Sequence, residues 1–309
     1  MPNPELPTDP MAIEEESQPS RHESHFGDKA KLVDIMLNGE VQIIGPIETV
    51  CADIPDHANQ VDVVDIPEKH ANRILGVKIQ KGEEMIRCVF KPVSGENAKA
   101  KKDTSVQNFY PRECEAYLVS EHFDFDLVPP TVIREVDGEI GALQLFLDHD
   151  YYRDLDFGGE NIEKTEQSED WQALAALDWM LANCERHENN IMVRRDDPEK
   201  VAAIDHGIIM SSYNYTEMAL RGPSLQLTHD NRADRARVVD VPEWLLEKIT
   251  DGIERQDQLN LQLENLHDLD EQQIESFWMR VNALAKYRKF LSKMNHKEAT
   301  GVSFLGAGY

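Results

Sequence analysis

The chain has 309 residues and a formal net charge of −26; 40% of its residues are hydrophobic and 29% charged. That length suits two lobes, each with its own core, and a field of that sign repels nucleic-acid phosphates and anionic lipid surfaces. No apolar run approaches the ~20 residues of a membrane span, and the start is acidic and Pro-rich rather than basic then apolar. The expectation is a cytoplasmic protein with no nucleic-acid partner and no membrane span.

Four cysteines (Cys51, Cys88, Cys114, Cys184) lack metal-ligand spacing and read as reduced, mostly buried thiols. Residues 1–28, with Pro2, Pro4, Pro7, Pro10 and Glu14-Glu15-Glu16, read as a disordered acidic tail. Lys29–Leu37 is a short apolar-periodic segment, and Gly39–Pro46 a strand between glycines. Residues 51–72 are a polar connection. Arg73–Lys81 and Met85–Lys91 read as strands joined at Gly82, and 93–108 as a loop. Pro111 opens a helix through about Phe123, and Thr131–Arg134 with Ile140–Phe146 forms a hairpin across Asp137-Gly138.

After Asp148 the pattern becomes helical. Trp171, Leu174, Leu177, Trp179, Met180 and Leu181 make a helical stripe, and Tyr151-Tyr152 with the tryptophans reads as lobe packing. Two short strands are expected at 190–194 and 201–205, an irregular stretch over 208–240, and two helices at about 243–262 and 271–294. The chain therefore divides into a tail (1–28), a sheet-rich lobe with one key helix (29–147), a mostly helical lobe (148–295) and a C-terminal tail (296–309). This is an α+β bilobal plan.

Four pieces stand in order. Lys91 ends the apolar strand Val89-Phe90-Lys91, which aims its ammonium out of the sheet. Glu113 lies on the first turn of the next helix, with Glu115 in reserve. Asn183-Cys184-Glu185-Arg186-His187-Glu188-Asn189-Asn190 is an abrupt polar loop after an apolar helix. Ala203-Ile204-Asp205-His206-Gly207 is a strand delivering an acid, with a glycine placed to reverse the chain. Alone, each has an ordinary structural explanation: a solvated lysine, a helix-dipole acid, a polar turn. A hairpin with Met192 opposite Ala203 sets Asn190 across from Asp205 with both side chains on one face. One amide oxygen and one carboxylate, with nucleotide phosphates, suit magnesium. The same order of strand lysine, helix glutamate, loop acid five residues before an asparagine, and acid-x-glycine occurs in kinases.

The run V-F-K-P, R-E-x-E-A-Y, L-V-P-P-T-V, E-R-H-E-N-N-I-M and I-D-H-G resembles the phosphatidylinositol 3- and 4-kinase-like superfamily, and its small bacterial kinase-like branch most of all. Arg186, His187, Asn190, Ile191 and Met192 match the family's loop motif; Asp205 and Gly207 match its metal motif. The resemblance covers roughly residues 37–210. It implies a protein-kinase-like fold and a phosphotransferase using ATP and Mg²⁺ on a hydroxyl acceptor, protein or small molecule. By the same resemblance Lys91 holds ATP phosphate, Glu113 orients Lys91, and Asn190 and Asp205 bind magnesium. His187 assists at the transferred phosphate. Gln144, Leu145, Phe146 and Leu147 form the adenine hinge, and Ile204 and the stretch 127–130 line the nucleotide pocket.

Two departures stand out. Glu185 occupies the family's aspartate position, which displaces the carboxylate by ~1.5 Å, and about 1 Å can cost on the order of 100-fold in rate. Residues 208–240 hold Arg221, Arg232, Arg235 and Arg237 but no lysine, among Glu217, Asp230, Asp234 and Asp240, which argues against a phosphoinositide acceptor. Two alternatives stay open: a pseudokinase acting through protein interaction, and transfer of AMP on the same fold. A zincin motif is excluded because Ile191 stands where a second histidine is needed, and Gly158-Gly159 is a poor phosphate loop.

Overall fold

Helix α1 (Lys29–Asn38) starts at Asp28, whose carboxylate accepts from the Lys31 amide; such a cap satisfies one of the free N–H groups of the first turn. The computed structural model describes residues 24–47, 73–104, 106–148, 152–154, 161–183, 186–210, 229–230, 235–236 and 239–290. Residues 1–23, the connection 48–72, Gly158-Gly159, Glu185, most of 208–240 and the tail 296–309 lie outside the described residues, as do Cys51, Cys184 and Tyr151. Residues 24–28, expected as tail, are docked. Asp126 accepts from the Ser24 hydroxyl and the His25 amide at 3.1 and 2.7 Å, and Phe26 packs beside Leu147 and Tyr152.

A five-stranded, wholly antiparallel sheet forms the front: β1 (Glu40–Pro46), β2 (Leu75–Lys81), β3 (Glu84–Pro92), β4 (Thr131–Val136) and β5 (Glu139–Leu145), in the order β1-β2-β3-β5-β4. The hairpin turns at Asp137 and Gly138, φ 53° and 78°, the double left-handed geometry that matches strand twist. Side chains alternate across the sheet. Leu75, Val77, Ile79, Cys88, Phe90, Val132, Val136 and Leu143 join Ile35 and Met36 of α1 in one core. Their neighbour Lys91 therefore belongs to the opposite face. The loop expected over 93–108 contains a helix, α2 (Ala98–Thr104); Asn97 caps it by accepting from the Lys99 and Ala100 amides, a local bond that composition alone does not weigh.

Helix α3 (Tyr110–His122) lies on the Lys91 side of the sheet, where the Cys114 thiol donates to the Thr131 carbonyl at 3.5 Å. Its second half enters a larger core. Ala116, Tyr117, Val119 and the following Phe123, Phe125, Leu127 and Val128 pack with Trp171, Leu174, Leu177, Trp179 and Leu181 of α5 (Glu169–Leu181), which follows the short α4 (Ile162–Gln167). A three-stranded sheet of β6 (Tyr152–Asp154), β7 (Ile191–Arg194) and β8 (Val201–Ala203) lies against it. Cys88 and Cys114 are free, buried thiols.

The helix expected over 243–262 is two, α6 (Glu243–Glu254) and α7 (Gln256–Glu264). The chain turns at Arg255, whose guanidinium donates to the His122 carbonyl at 2.7 Å and to Asp124 at 3.3 Å; tertiary bonds override a continuous pattern. The last helix, α8 (Glu271–Tyr287), stops short of the expected 294. Arg288 caps it in a left-handed conformation, φ 56°, and the chain pairs from Lys289–Phe290 with Val239–Asp240. Among the described residues no helix is long and apolar enough to cross a membrane.

Gly141 of β5 sits opposite Pro92, at the end of the strand bearing Lys91. A Cβ there would meet the Lys91 carbonyl, the Phe90 ring at 2.8 Å and the Pro92 backbone at 2.8 Å. Gly141→Ala is therefore expected to destabilise the fold by about 1–3 kcal/mol, read as a lower urea midpoint at unchanged slope.

Candidate functional site

Strand β3 and helix α3 bring Lys91 and Glu113 together. The Lys91 ammonium lies 2.5 Å from Glu113 Oε1 and 3.2 Å from Asp205 Oδ1. Lys91 comes from the sheet lobe and Asp205 from the end of the β7–β8 hairpin, so the contact crosses between the two cores. The Glu113 side chain is 2% exposed and that of Asp205 is 50% exposed. Burial alone lowers the pKa of Lys91, but Asp205 and Glu113 outweigh it and hold the ammonium above the ordinary lysine range. The Lys91 ammonium keeps Asp205 below its ordinary value against the pull of burial. Burial pushes Glu113 up, opposed by Lys91, because two carboxylates share one cation.

Asp205 adopts φ +60°. The chain bends just after it, at Gly207 and Ile208, where the glycine was expected to supply the turn. Gly207 also lets two elements approach: a Cβ would lie 3.0 Å from the Phe109 side chain. The two lobes leave a small cleft, partly open to solvent, lined by Lys91, Glu113, Asp205 and Gly207 together with Arg73, Phe109 and Tyr110.

Behind the cleft, Arg186 organises the large lobe. Its guanidinium binds Asp178 at 3.1–3.2 Å, the Asn190 carbonyl at 2.7 Å and the Ile204 carbonyl at 2.8 Å. Both side chains of the Arg186–Asp178 pair are fully buried, and Asn183 adds a bond to Asp178 at 2.9 Å. Arg186 Nη2 also lies 2.7 Å from His206 Nε2. Since arginine only donates, Nε2 accepts and the proton sits on Nδ1. Burial, with Arg186 and Lys91 nearby, pushes His206 well below its ordinary value, so the ring is neutral. The His206 amide donates to Glu113 Oε2 at 3.1 Å, joining this cluster to the cleft.

The hairpin register differs by one residue from the expected one. Ile191, not Met192, faces Ala203, and the Ile204 amide donates to the Asn190 carbonyl at 3.1 Å. Asn190 therefore stands opposite Ile204, diagonal to Asp205, because Arg186 grips the carbonyls of both 190 and 204. Asn190 is 5% exposed; His187 is exposed. Gln144 turns into the sheet and donates to the Thr131 hydroxyl at 2.9 Å. Leu145 and Phe146 use their amides on the Pro130 and Arg87 carbonyls. Leu147 joins Tyr152, Met192 and Ala202, with Ile204 packed against them. The structure thus unites Lys91, Glu113 and Asp205 in one group, and Leu147 with Ile204 in another.

Several contributors were missed. Asp178 had a visible signal: an acid inside an otherwise apolar helix. Glu96 had none. Its carboxylate accepts from the Phe109 and Tyr110 amides at 2.8 and 2.7 Å and meets Lys101 at 2.6 Å, capping the helix of Glu113 from across a loop. On that helix Glu115 is buried, with Arg112 3.4 Å away. Burial, opposed by Arg112 and reinforced by Asp268, pushes its carboxyl up to about 7.

Comparison with known proteins gives a match to the phosphatidylinositol 3- and 4-kinase family over residues 139–230, a range that holds Asn190 and Asp205 but not Lys91 or Glu113. The chain is 27% identical over 171 residues to Protein Rv2133c of Mycobacterium tuberculosis, covering 46% of this chain and 60% of the relative. It is 29% identical over 144 residues to phosphatidylinositol 4-kinase gamma 4 of Arabidopsis thaliana, covering 38% of this chain and 24% of the relative. Both shares fall below two thirds of the relative's length. A crystal structure of the Helicobacter pylori proinflammatory kinase CtkA is 14% identical with a TM-score of 0.37, over 74% of this chain and 92% of that one.

Asp178→Ala leaves the Arg186 guanidinium buried without its acid and should lower stability by about 3–5 kcal/mol, measured by denaturant unfolding. Glu115 has a folded pKa above its unfolded one. Its protonated form is the one the fold favours, so its contribution is fully present below the unfolded carboxylate range and is lost as pH rises to about 7. Relative to Glu115→Gln, the unaltered chain should therefore lose on the order of 3 kcal/mol of stability between about pH 4 and pH 8, followed as midpoint against pH.

Proposed function

We propose, for a chain that belongs to the phosphatidylinositol 3- and 4-kinase-like family, an ATP- and magnesium-dependent phosphotransferase that moves the γ-phosphate to a hydroxyl of a protein or small-molecule acceptor. The observation that carries this reading is the Lys91 ammonium held between Glu113 and Asp205 across the two cores. Such an ammonium is fixed before the nucleotide arrives, and preorganised charge costs no reorganisation during the reaction.

In this reading Lys91 binds phosphate oxygens and Glu113 fixes its direction. The donor set suits magnesium: two carboxylates share a single ammonium, and Asp205 keeps half its side chain open to the cleft. Asp205 and Asn190 are the residues to hold the ion, which prefers few protein oxygens together with phosphate and water. Bound there, magnesium neutralises phosphate charge. The segment 144–147, with Ile204 packed against the Leu147 cluster, is the one to receive adenine. Glu185 takes the acceptor proton as the oxygen–phosphorus bond forms and ADP leaves, and His187 steadies the transferred group.

Asp205→Asn is expected to lower ATP turnover about 100- to 1000-fold with an unchanged circular dichroism spectrum. Removing this acid takes away a metal ligand, whereas the Lys91–Glu113 pair remains. Turnover retained in that variant refutes the role. A thermal shift with ATP and Mg²⁺ in a chain that never hydrolyses or transfers phosphate favours the non-catalytic binding module instead.

A further inference from the structure

Helix α3 carries Arg112 immediately before Glu113, and Arg112 is as buried as its neighbour. Its Nε lies 2.7 Å from Asp268 Oδ2, an ion contact rather than an aligned hydrogen bond. Asp268 belongs to the corner between α7 and α8, where His267 and Asp270 are exposed, but its own side chain faces inward and is 5% exposed. Buried ion pairs are poor sources of net stability, since desolvation offsets their attraction, but they hold a geometry. The geometry held here is the rotation of the helix that aims Glu113.

The corner itself is rigid. His267 adopts φ +55°, and the Leu266 and His267 amides donate back to the Leu263 and Glu264 carbonyls at 3.1 Å. Asp270 and Gln273 then form a reciprocal capping box at 2.8 and 2.9 Å. From the same first turn, Gln273 Nε2 donates to the Met210 carbonyl at 2.9 Å, which fixes the chain leaving Asp205. Two turns further on, Arg280 Nε donates to the Met180 carbonyl at 2.8 Å, at the end of α5. One corner therefore grips the residue beside Glu113 and the segment just after Asp205, the two acids that share Lys91.

We infer that Asp268 is a positioning residue: through Arg112 it holds α3 at the rotation that keeps Glu113 on Lys91, and so sets the cleft for phosphate. The role deepens the phosphotransferase reading and rests on it for its consequence, although the positioning itself is measurable without ATP. Among the described residues Asp268 is the acid nearest to Arg112, at 2.7 Å against 3.4 Å for Glu115.

The test measures the reactivity of the Lys91 amine. In the full chain, acylation of Lys91 by an amine-reactive reagent is followed against pH by peptide mass mapping, in the unaltered protein and in Asp268→Asn. The expected result is a profile displaced to lower pH, with labelling at about pH 9 raised about tenfold, because an ammonium that loses a carboxylate partner gives up its proton more readily. Glu113→Gln is the reference for a broken pair, and combining it with Asp268→Asn should add little. An Asp268→Asn profile matching the unaltered chain, or effects of the two changes that simply multiply, overturns the proposal. Should Asp268→Asn fail to fold, Asp268→Glu keeps the charge and shifts it by one methylene; displacement in the same direction supports the role and an unmoved profile overturns it. ATP turnover is measured in parallel. Absence of nucleotide binding and turnover in the unaltered protein counts against the phosphotransferase reading alone, and leaves the amine profile to decide this one.

Discussion

Helix Tyr110–His122 is buried on nearly every face, and its first turns carry Arg112, Glu113 and Glu115. A charge removed from water costs several kcal/mol unless partners compensate it, so this helix fits only where partners converge. They come from distant parts of the chain: Lys91 from the sheet, the His206 amide from the segment after Asp205, Asp268 from the corner before the last helix. Glu96 satisfies its free N-terminal amides. The helix is thereby the element through which the sheet core and the helical core define their mutual position, and the cleft is what remains between them.

A second buried charge cluster does the corresponding work in the large lobe. Arg186 directs its donors to Asp178, two backbone carbonyls flanking the β7–β8 hairpin and His206. Gripping the carbonyls of Asn190 and Ile204 sets the register of the β7–β8 hairpin and with it the place where Asp205 emerges. The two clusters touch at residue 206, whose ring serves Arg186 while its amide serves Glu113. Neither cluster depends mainly on surface ion pairs, which contribute little and weaken with salt. Their geometry is protected by burial, so the cleft inherits a fixed electrostatic shape.

Much of the local structure was legible in the sequence. The strand ending at Lys91, the helix opened by Pro111, the hairpin across Asp137-Gly138 and the apolar helix before the polar loop all follow from periodicity and turn chemistry, and all occur. Where the reading failed, long-range bonds decided. Arg255 breaks an otherwise continuous helix because the His122 carbonyl and Asp124 are in reach. Residues 24–28 look like solvated tail in composition, yet Asp126 holds them. The hairpin slipped by one position because the Arg186 guanidinium, and not the strand pattern, sets its register.

The sequence by itself determined the candidate pieces and their order: a lysine at a strand end, an acid on the following helix, a polar loop, an acid after the next strand. Each is written in a few adjacent residues, where local rules of period, proline and helix dipole operate. Only the tertiary structure decided that Lys91, Glu113 and Asp205 meet at one point, that Asn190 lies diagonal to Asp205 rather than opposite it, and that Asp268 stands behind Arg112. Those are pairings of charges far apart along the chain, and which buried ion finds which partner depends on how the two cores close on a shared helix.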